Sequence, residues 1–338
     1  MTKIETAAPT ITVLMSCYNA ASWLNEAINS ILHQTFKDFE FIIIDDGSND
    51  ETMDIIQGFA KQDKRIVIIT KPNTGLADSL NVGIQKARGE WIARLDADDI
   101  CEDSRLEKQL ILGKSNPKLV FIGSGLTEID QNGNPLSVYK YPSHHASLIR
   151  NLRIKQKFPP HSSAFFRTKV VCAIGGYRKR IHRAQDLDLW LRLSEVGELA
   201  SIKEPLVRIR KHPDQISHDD YGRRQIIDSR VAMTSYFFRR HGFADPGEAD
   251  ETSFIIFWNW IAEQLEADGL FAFENTRSKL IALLTYPDGS VNLTLRGIAF
   301  ALKQPAFLMR FLKQKLVGEK LAHRLTTAWM NQSKNVKV

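Results

Sequence analysis

Along the first hundred residues, solid apolar runs alternate with stretches whose apolar positions recur every three or four residues. Ile11–Ser16 is the first run, and Trp23, Leu24, Ala27, Ile28, Ile31 and Leu32 follow at helical spacing. Phe39–Ile44 reads as a second strand, closed by the turn-forming Asp45-Asp46-Gly47-Ser48, and a polar helix spans Glu51–Gln62. Arg65–Thr70 and Trp91–Leu95 are further strands, separated by a helix over Leu76–Ala87. Strand–helix alternation with short connections predicts a parallel sheet with helices on both faces. Ligands of such sheets sit beyond the carboxyl ends of the strands. Three of those ends carry polar clusters, Ser16-Cys17-Tyr18-Asn19, Asp45-Asp46-Gly47-Ser48 and Asp96-Ala97-Asp98-Asp99, which are expected to converge on one crevice.

From about Leu119 to Ile209 the pattern is mixed. Asn132-Gly133-Asn134-Pro135 is a hairpin-like turn, Asp186–Leu193 starts a helix, and Leu206–Ile209 is a strand. After Tyr221 the chain reads as helical, with breaks at Pro246-Gly247 and Pro287-Asp288-Gly289. The most apolar stretch, Phe254–Ile261, falls well short of the roughly 18 residues of a membrane span and reads as a buried helix.

Composition adds little until it is divided along the chain. With 43% hydrophobic and 25% charged residues, the 338-residue chain can bury a sizeable core. Cys17, Cys101 and Cys172 are scattered and odd in number, which argues against a disulfide framework or structural zinc and for a reducing compartment. Met1–Pro9 lacks the apolar core of a signal peptide, so the expectation is a cytoplasmic protein, or one peripheral on the inner face of the cell membrane. The net charge of +6 is unevenly placed. Arg296–Val338 holds nine Lys/Arg against one acid, a net +8, whereas the other 295 residues hold 36 basic and 38 acidic side chains, a net −2.

The strongest local signal is Asp96-Ala97-Asp98-Asp99. Three carboxylates within four residues repel one another unless a cation or hydrogen-bond donors compensate. Oxygen ligation of this kind suits Mg²⁺ or Mn²⁺ bridging to phosphates. The cluster's place right after an apolar strand favours that reading over a solvated helix start before Arg105–Leu112.

Order and spacing of several segments together carry the functional assignment. These are Val13-Leu14-Met15-Ser16-Cys17-Tyr18-Asn19, Ser30-Ile31-Leu32-His33-Gln34-Thr35-Phe36, Ile44-Asp45-Asp46-Gly47-Ser48 and Asn73-Thr74-Gly75, then Asn81, Gly83, Ala87 and Gly89, Asp96-Ala97-Asp98-Asp99, Gly175-Gly176-Tyr177 and Gln185-Asp186-Leu187-Asp188-Leu189-Trp190-Leu191-Arg192. From about Ile11 to Ser217 the chain resembles the family 2 glycosyltransferases, inverting enzymes with the GT-A fold. The resemblance implies an α/β GT-A-type nucleotide-binding, mostly parallel sheet flanked by helices, followed by a helical C-terminal region. Residues 1–9 then form a flexible N-terminus and 10–220 the catalytic domain, with a donor-binding part over 10–100 and an acceptor and base part over 101–220. Residues 221–338 form the helical region with its basic amphipathic tail.

By the same resemblance Ser16, Tyr18 and Asp46 lie against the nucleoside, Asp96 lies near the ribose, and Asp98 ligates Mg²⁺ or Mn²⁺. Asp186 takes the place of the catalytic base. An acceptor alcohol is barely ionised at neutral pH, so a carboxylate must take its proton as the bond to the sugar forms. Asp188 is a rival two residues on, which helical geometry turns to another face. Gln185 departs from the Glu common at that position. His212 resembles a late-family histidine that approaches the diphosphate or metal. His161, in Phe158-Pro159-Pro160-His161-Ser162-Ser163, and Trp190 fall on the acceptor side. No Gln-x-x-Arg-Trp motif of the processive members occurs.

The expected activity is therefore non-processive transfer from a nucleotide-sugar, with UDP the expected nucleotide and dTDP and GDP as alternatives, to a hydroxyl of a glycan or lipid-linked acceptor in cell-surface polysaccharide or glycolipid synthesis. A metal-dependent nucleotidyltransferase would show a Gly-rich basic loop after the first strand, where this chain has Ser16-Cys17-Tyr18-Asn19. A nucleic-acid-binding protein using the basic tail conflicts with the slightly acidic body, so no nucleic acid is expected. The tail interleaves its charges with Phe300, Phe307, Leu308, Phe311, Leu312, Leu316, Leu321, Leu325 and Trp329. Such a helix fits an anionic membrane surface, and equally an ordinary docking helix.

Overall fold

The computed structural model describes residues 8–155, 157–212, 222–270 and 317–335. It divides into two compact units, Met1–Ile149 with Phe158–His212, and Arg150–Lys157 with Pro213–Val338.

The first unit is built on β1 (Ile11–Cys17), β2 (Phe39–Asp45), β3 (Ile66–Thr70), β4 (Trp91–Arg94), β5 (Ile100–Cys101), β6 (Leu119–Ile129), β7 (Pro135–Tyr139), β8 (Phe165–Arg167) and β9 (Glu198–Arg210). Its helices are α1 (Ala21–Leu32), α2 (Thr52–Gln62), α3 (Leu76–Lys86), α4 (Arg105–Ser115), α5 (His145–Lys155, which runs on into the second unit), α6 (Thr168–Ala173) and α7 (Gln185–Val196). The strands lie in the order β3-β2-β1-β4-β8-β6-β9-β5, with β7 paired to β6. The four strands read from the apolar runs are parallel. The second half of the sheet is mixed: β8 is antiparallel to both β4 and β6, while β6 and β9 run parallel. This is the GT-A-type arrangement expected, with the parallel part confined to the donor half and to β6–β9.

β1 and β2 are almost wholly buried, so they are continuous apolar runs and not alternating ones. Apolar faces of α1, α2 and α4 pack on one core with Trp91 and Phe165, whose rings stack at 4.8 Å. Gly89 sits where a Cβ would lie 2.4 Å from Thr12 N, which explains a glycine there as close backbone approach at the start of β4. β9 extends over thirteen residues, far longer than the Leu206–Ile209 run that its apolar pattern suggests. Pro205 and the register shifts opposite Ser124–Leu126 break the alternation that would have announced it.

The second unit contains α8 (Arg223–Arg240), α9 (Glu251–Ala267) and α10 (Val317–Asn335). Asp250 caps α9 by accepting from Ser253 N at 3.0 Å. Leu321 and Leu325 of α10 are buried, and Trp329 meets Trp260 at 5.0 Å and Phe257 at 5.1 Å between ring centres. These three apolar residues of the tail therefore serve packing within this unit. Phe300, Phe307, Leu308, Phe311, Leu312 and Leu316 lie outside the described residues, as does Ser217. Among the described residues no helix is long and apolar enough to cross a membrane.

Candidate active site

Parallel register brings the three polar clusters together. Cys17 pairs with Asp45, Asp45 with Thr70, and Leu14 with Arg94, so β1, β2 and β4 end side by side. The first two loops are tied directly. Asn19 N donates to Ser48 Oγ at 3.0 Å, and Asn49 N donates to Asn19 Oδ1 at 2.8 Å. Asn19 adopts φ 49°, a left-handed value that asparagine tolerates. Gly47, at φ 78°, has a further reason to be glycine: a Cβ would stand 2.9 Å from Asn73 N.

That close approach puts the Asn73-Thr74-Gly75 loop onto Asp46, whose side chain is buried. Asp46 Oδ1 accepts from Lys71 Nζ at 2.5 Å and Thr74 N at 3.0 Å, and Oδ2 accepts from Gly75 N at 2.9 Å. A carboxylate has about four lone-pair positions. The three contacts leave one, on Oδ2, and so orient Asp46 as a fixed acceptor for one more N–H donor. Tyr18 projects beyond β1 with 49% exposure, a bare aromatic face beside this carboxylate's loop. Ser16 is half-buried within β1.

The acidic cluster follows β4. Oxygen atoms of Asp96, Asp98 and Asp99 all lie within 4.8 Å of one another. Their environments differ sharply. Asp96 is gripped by the guanidinium of Arg94, with Ser162 Oγ at 2.8 Å from its Oδ2. Asp99 is buried; Ser162 Oγ and Arg210 N, at 3.0 Å, reach it, and burial together with the neighbouring Asp98 charge pushes its carboxyl up to about 7. The Ser162 hydroxyl has one proton and can donate to only one of these two acids. Asp98 remains partly exposed and meets His212 Nε2 at 3.0 Å. The buried Nδ1 of His212 has no partner among the described residues. The donor set of hard oxygens with one imidazole fits Mg²⁺ or Mn²⁺.

Asp186 lies in the first turn of α7 and is half-buried. One of its oxygens accepts from Leu187 N at 2.7 Å. Burial raises its carboxyl above the ordinary value, an effect that the Leu187 amide and the Arg94 charge oppose. Asp188 is different. It is fully buried, accepts from Arg192 Nε at 2.9 Å and pairs with Arg178 Nη1 at 3.1 Å. Arg192 goes on to donate to the carbonyls of Ile174 and Gly176, which fastens the Gly175-Gly176 turn to α7. Asn81 holds the next residue, donating to Tyr177 O and accepting from Tyr177 N, each at 2.8 Å.

Two acceptor-side residues read from the sequence are engaged internally. Trp190 is 1% exposed and packs against Phe121, Phe158 and His161, so it supports the site from behind instead of lining an acceptor face. His161 Nε2 meets Tyr177 Oη at 2.7 Å, and burial beside Arg94 holds its imidazole well below the ordinary range, hence neutral. Arg94 and Ser162 escape sequence reading as site residues, because an arginine at the end of an apolar strand and a serine in a one-turn 3-10 helix (His161–Ser163) 68 residues away carry no shared local pattern. Arg105 and Gln109 stand behind them. Arg105 Nη2 donates to Arg94 O at 2.8 Å and Ala164 O at 3.1 Å, and Gln109 Nε2 to Ser163 O at 2.8 Å.

Known proteins share this sequence pattern and this fold. The pattern of Glycosyl transferase family 2 matches residues 12–175. Similar sequences include an uncharacterized glycosyltransferase of Methanocaldococcus jannaschii, 36% identical over 56% of this chain and 66% of its own, and one of Haemophilus influenzae, 32% identical over 62% and 68%. The chondroitin synthase of Escherichia coli is 29% identical over 60% of this chain and 29% of its own. The chain thus spans about two thirds of the first two relatives and under a third of the synthase. Similar folds include Staphylococcus aureus TarS 1-349 in complex with UDP-GlcNAc, at TM-score 0.57, 14% identity and 96% and 92% coverage of the two chains. The mannosyltransferase PcManGT from Pyrobaculum calidifontis, in complex with GDP-Man and Mn²⁺, gives 0.51, 15%, 98% and 89%. With a GT-A fold, the family's pattern over residues 12–175 and a Haemophilus influenzae relative 32% identical over 68% of its own length, the chain belongs to glycosyl transferase family 2.

Proposed function

We propose that this glycosyltransferase moves one sugar per encounter from a nucleotide-diphosphate donor to an acceptor hydroxyl, with inversion at the sugar carbon. The observation that carries the reading is the division of labour among its acids. Asp46 is a pre-oriented acceptor with one position open, which suits a nucleobase N–H, and Tyr18 offers a ring for the base to lie on. Asp98 with His212 offers a hard, partly exposed edge for Mg²⁺ or Mn²⁺. A divalent ion bound there would stabilise the charge that gathers on the departing diphosphate. Asp186, half-buried with a raised carboxyl, suits proton abstraction from the acceptor, whereas Asp188 is committed to two arginines.

The structural neighbours in complex with UDP-GlcNAc and with GDP-Man and Mn²⁺ support a nucleotide-sugar donor and a divalent ion, and the chondroitin synthase relative supports an acceptor in polysaccharide synthesis. A UDP-sugar is the donor we infer, and a glycan or lipid-linked hydroxyl the acceptor. For the tail, the +8 segment supports a peripheral attachment to an anionic membrane face. The decisive experiment is a calorimetric screen of UDP-, dTDP- and GDP-sugars with Mn²⁺, followed by NMR of the product's anomeric configuration. Release of pyrophosphate instead of a nucleoside diphosphate, or a product that retains configuration, would overturn the reading.

A further inference from the structure

The triad's first acid is the one held most firmly, and the residues that hold it lie outside the motif. Arg94 closes β4 with a side chain only 2% exposed, and its two terminal nitrogens fork onto both oxygens of Asp96. Arg94 Nη1 also donates to Ser162 Oγ at 3.1 Å. Ser162, 1% exposed, sits 2.8 Å from Asp96 Oδ2 and accepts from Asp96 N at 3.2 Å. Arg105 and Gln109 pin the backbones of both clamp segments, the end of β4 and the turn through Ser163.

We propose that Arg94 and Ser162 are positioning residues that hold Asp96 as a neutralised, fixed acceptor for the donor and thereby keep it from joining Asp98 on the metal ion. The fork takes one lone-pair position on each oxygen of Asp96, Ser162, whose single proton is shared between Asp96 and Asp99, can fill the second on Oδ2, and the second on Oδ1 stays open for one donor hydroxyl. Arg94 cancels one negative charge of the triad beside the metal edge. A carboxylate locked in a bidentate guanidinium pair is a poor recruit for a divalent ion, because ligation would strand a buried arginine. The simpler possibility, that Arg94 only stabilises the fold, predicts that its loss weakens every ligand alike.

The inference rests on the donor-site reading above, and the test separates the two. Mn²⁺ alone is titrated by paramagnetic resonance, and UDP at saturating Mn²⁺ by calorimetry, on the parent, R94Q, R94K, D96N and the R94Q/D96N pair. R94Q should lose about tenfold or more in UDP affinity, the scale of one charge-assisted hydrogen bond. Its affinity for Mn²⁺ alone should rise about three- to tenfold, because a released carboxylate adds a ligand. That gain should vanish in R94Q/D96N. Parallel loss of both affinities, or no change in either, overturns the proposal. Should R94Q fail to fold by circular dichroism, R94K decides. It keeps the charge without the fork, so UDP affinity should fall while Mn²⁺ affinity stays within about threefold, and a matched fall in both overturns the clamp. A parent protein that binds no nucleoside diphosphate would instead sink the donor-site reading itself.

Discussion

Replacing each acid of the Asp186–Asp188 pair by asparagine tests whether the first serves as the base and the second as a structural anchor. Asp188 is wholly buried between Arg192, at 2.9 Å, and Arg178, at 3.1 Å. Removing one partner from a buried ion pair costs about 3–5 kcal/mol. Asparagine keeps one acceptor oxygen, and Arg192 keeps the carbonyls of Ile174 and Gly176, so Asp188→Asn should cost the lower figure, about 3 kcal/mol. For a domain of this size roughly 2–4 °C of melting temperature is lost per kcal/mol, which gives about 6–12 °C. Turnover measured well below the melting point should fall only modestly. Asp186→Asn should do the reverse: it breaks no ion pair, so the melt should stay near that of the parent while transfer drops about 10²–10⁴-fold. Scanning calorimetry and a coupled assay of released nucleoside diphosphate read both effects. An Asp188→Asn variant that melts with the parent yet is inactive, beside an active Asp186→Asn, would refute the assignment.

The other predictions follow from single features of the site. Asp98→Ala should nearly abolish turnover, as should chelation of the parent, and full activity in excess chelator would remove the metal from the mechanism. Gly47→Ala places a methyl against Asn73 N at a left-handed φ, a strain of about 1–3 kcal/mol. It should loosen the Asn73–Gly75 loop from Asp46 and raise the donor KM more than it lowers kcat, and an unchanged KM would dissociate that loop from nucleotide binding. Because burial raises the Asp186 carboxyl and the base must be ionised, kcat/KM should climb with pH through a value above the ordinary 3.8, and Asp186→Asn should lose that limb. The same shift acts oppositely on stability: the folded state holds this proton more tightly, so the contribution is greatest below 3.8 and is lost as pH rises through the raised value. Full-length protein should sediment with anionic vesicles at low salt, and a truncation ending at Pro287 should not; absence of binding by both would make the tail purely structural.

The sequence by itself determined the donor half. Four apolar runs, the helices between them and the three polar strand ends are encoded within windows of a dozen residues, since periodicity and turn chemistry are local properties. Convergence of Ser16, Tyr18, Asp46 and Asp98 on one edge follows from parallel register alone. The second half was less legible. β9 lost its alternation to Pro205 and to register shifts, and β6 and β8 carry apolar runs that suit a buried helix as well as a strand. Only the tertiary structure shows which partner holds each charge. Asp186 and Asp188 belong to one short motif; resemblance marks the first as the base, and the arrival of Arg178 and Arg192 makes the second an anchor. Trp190 reads as a site aromatic until Phe121, Phe158 and His161 enclose it. Resemblance sets Asp96 near the ribose and Asp98 on the metal, but the partners come from the fold: Arg94, and Ser162 from 66 residues away, claim the first, and His212, from 114 residues away, meets the second. A buried charge is defined by the partner that compensates it, and that partner is brought close by the fold, not by sequence proximity.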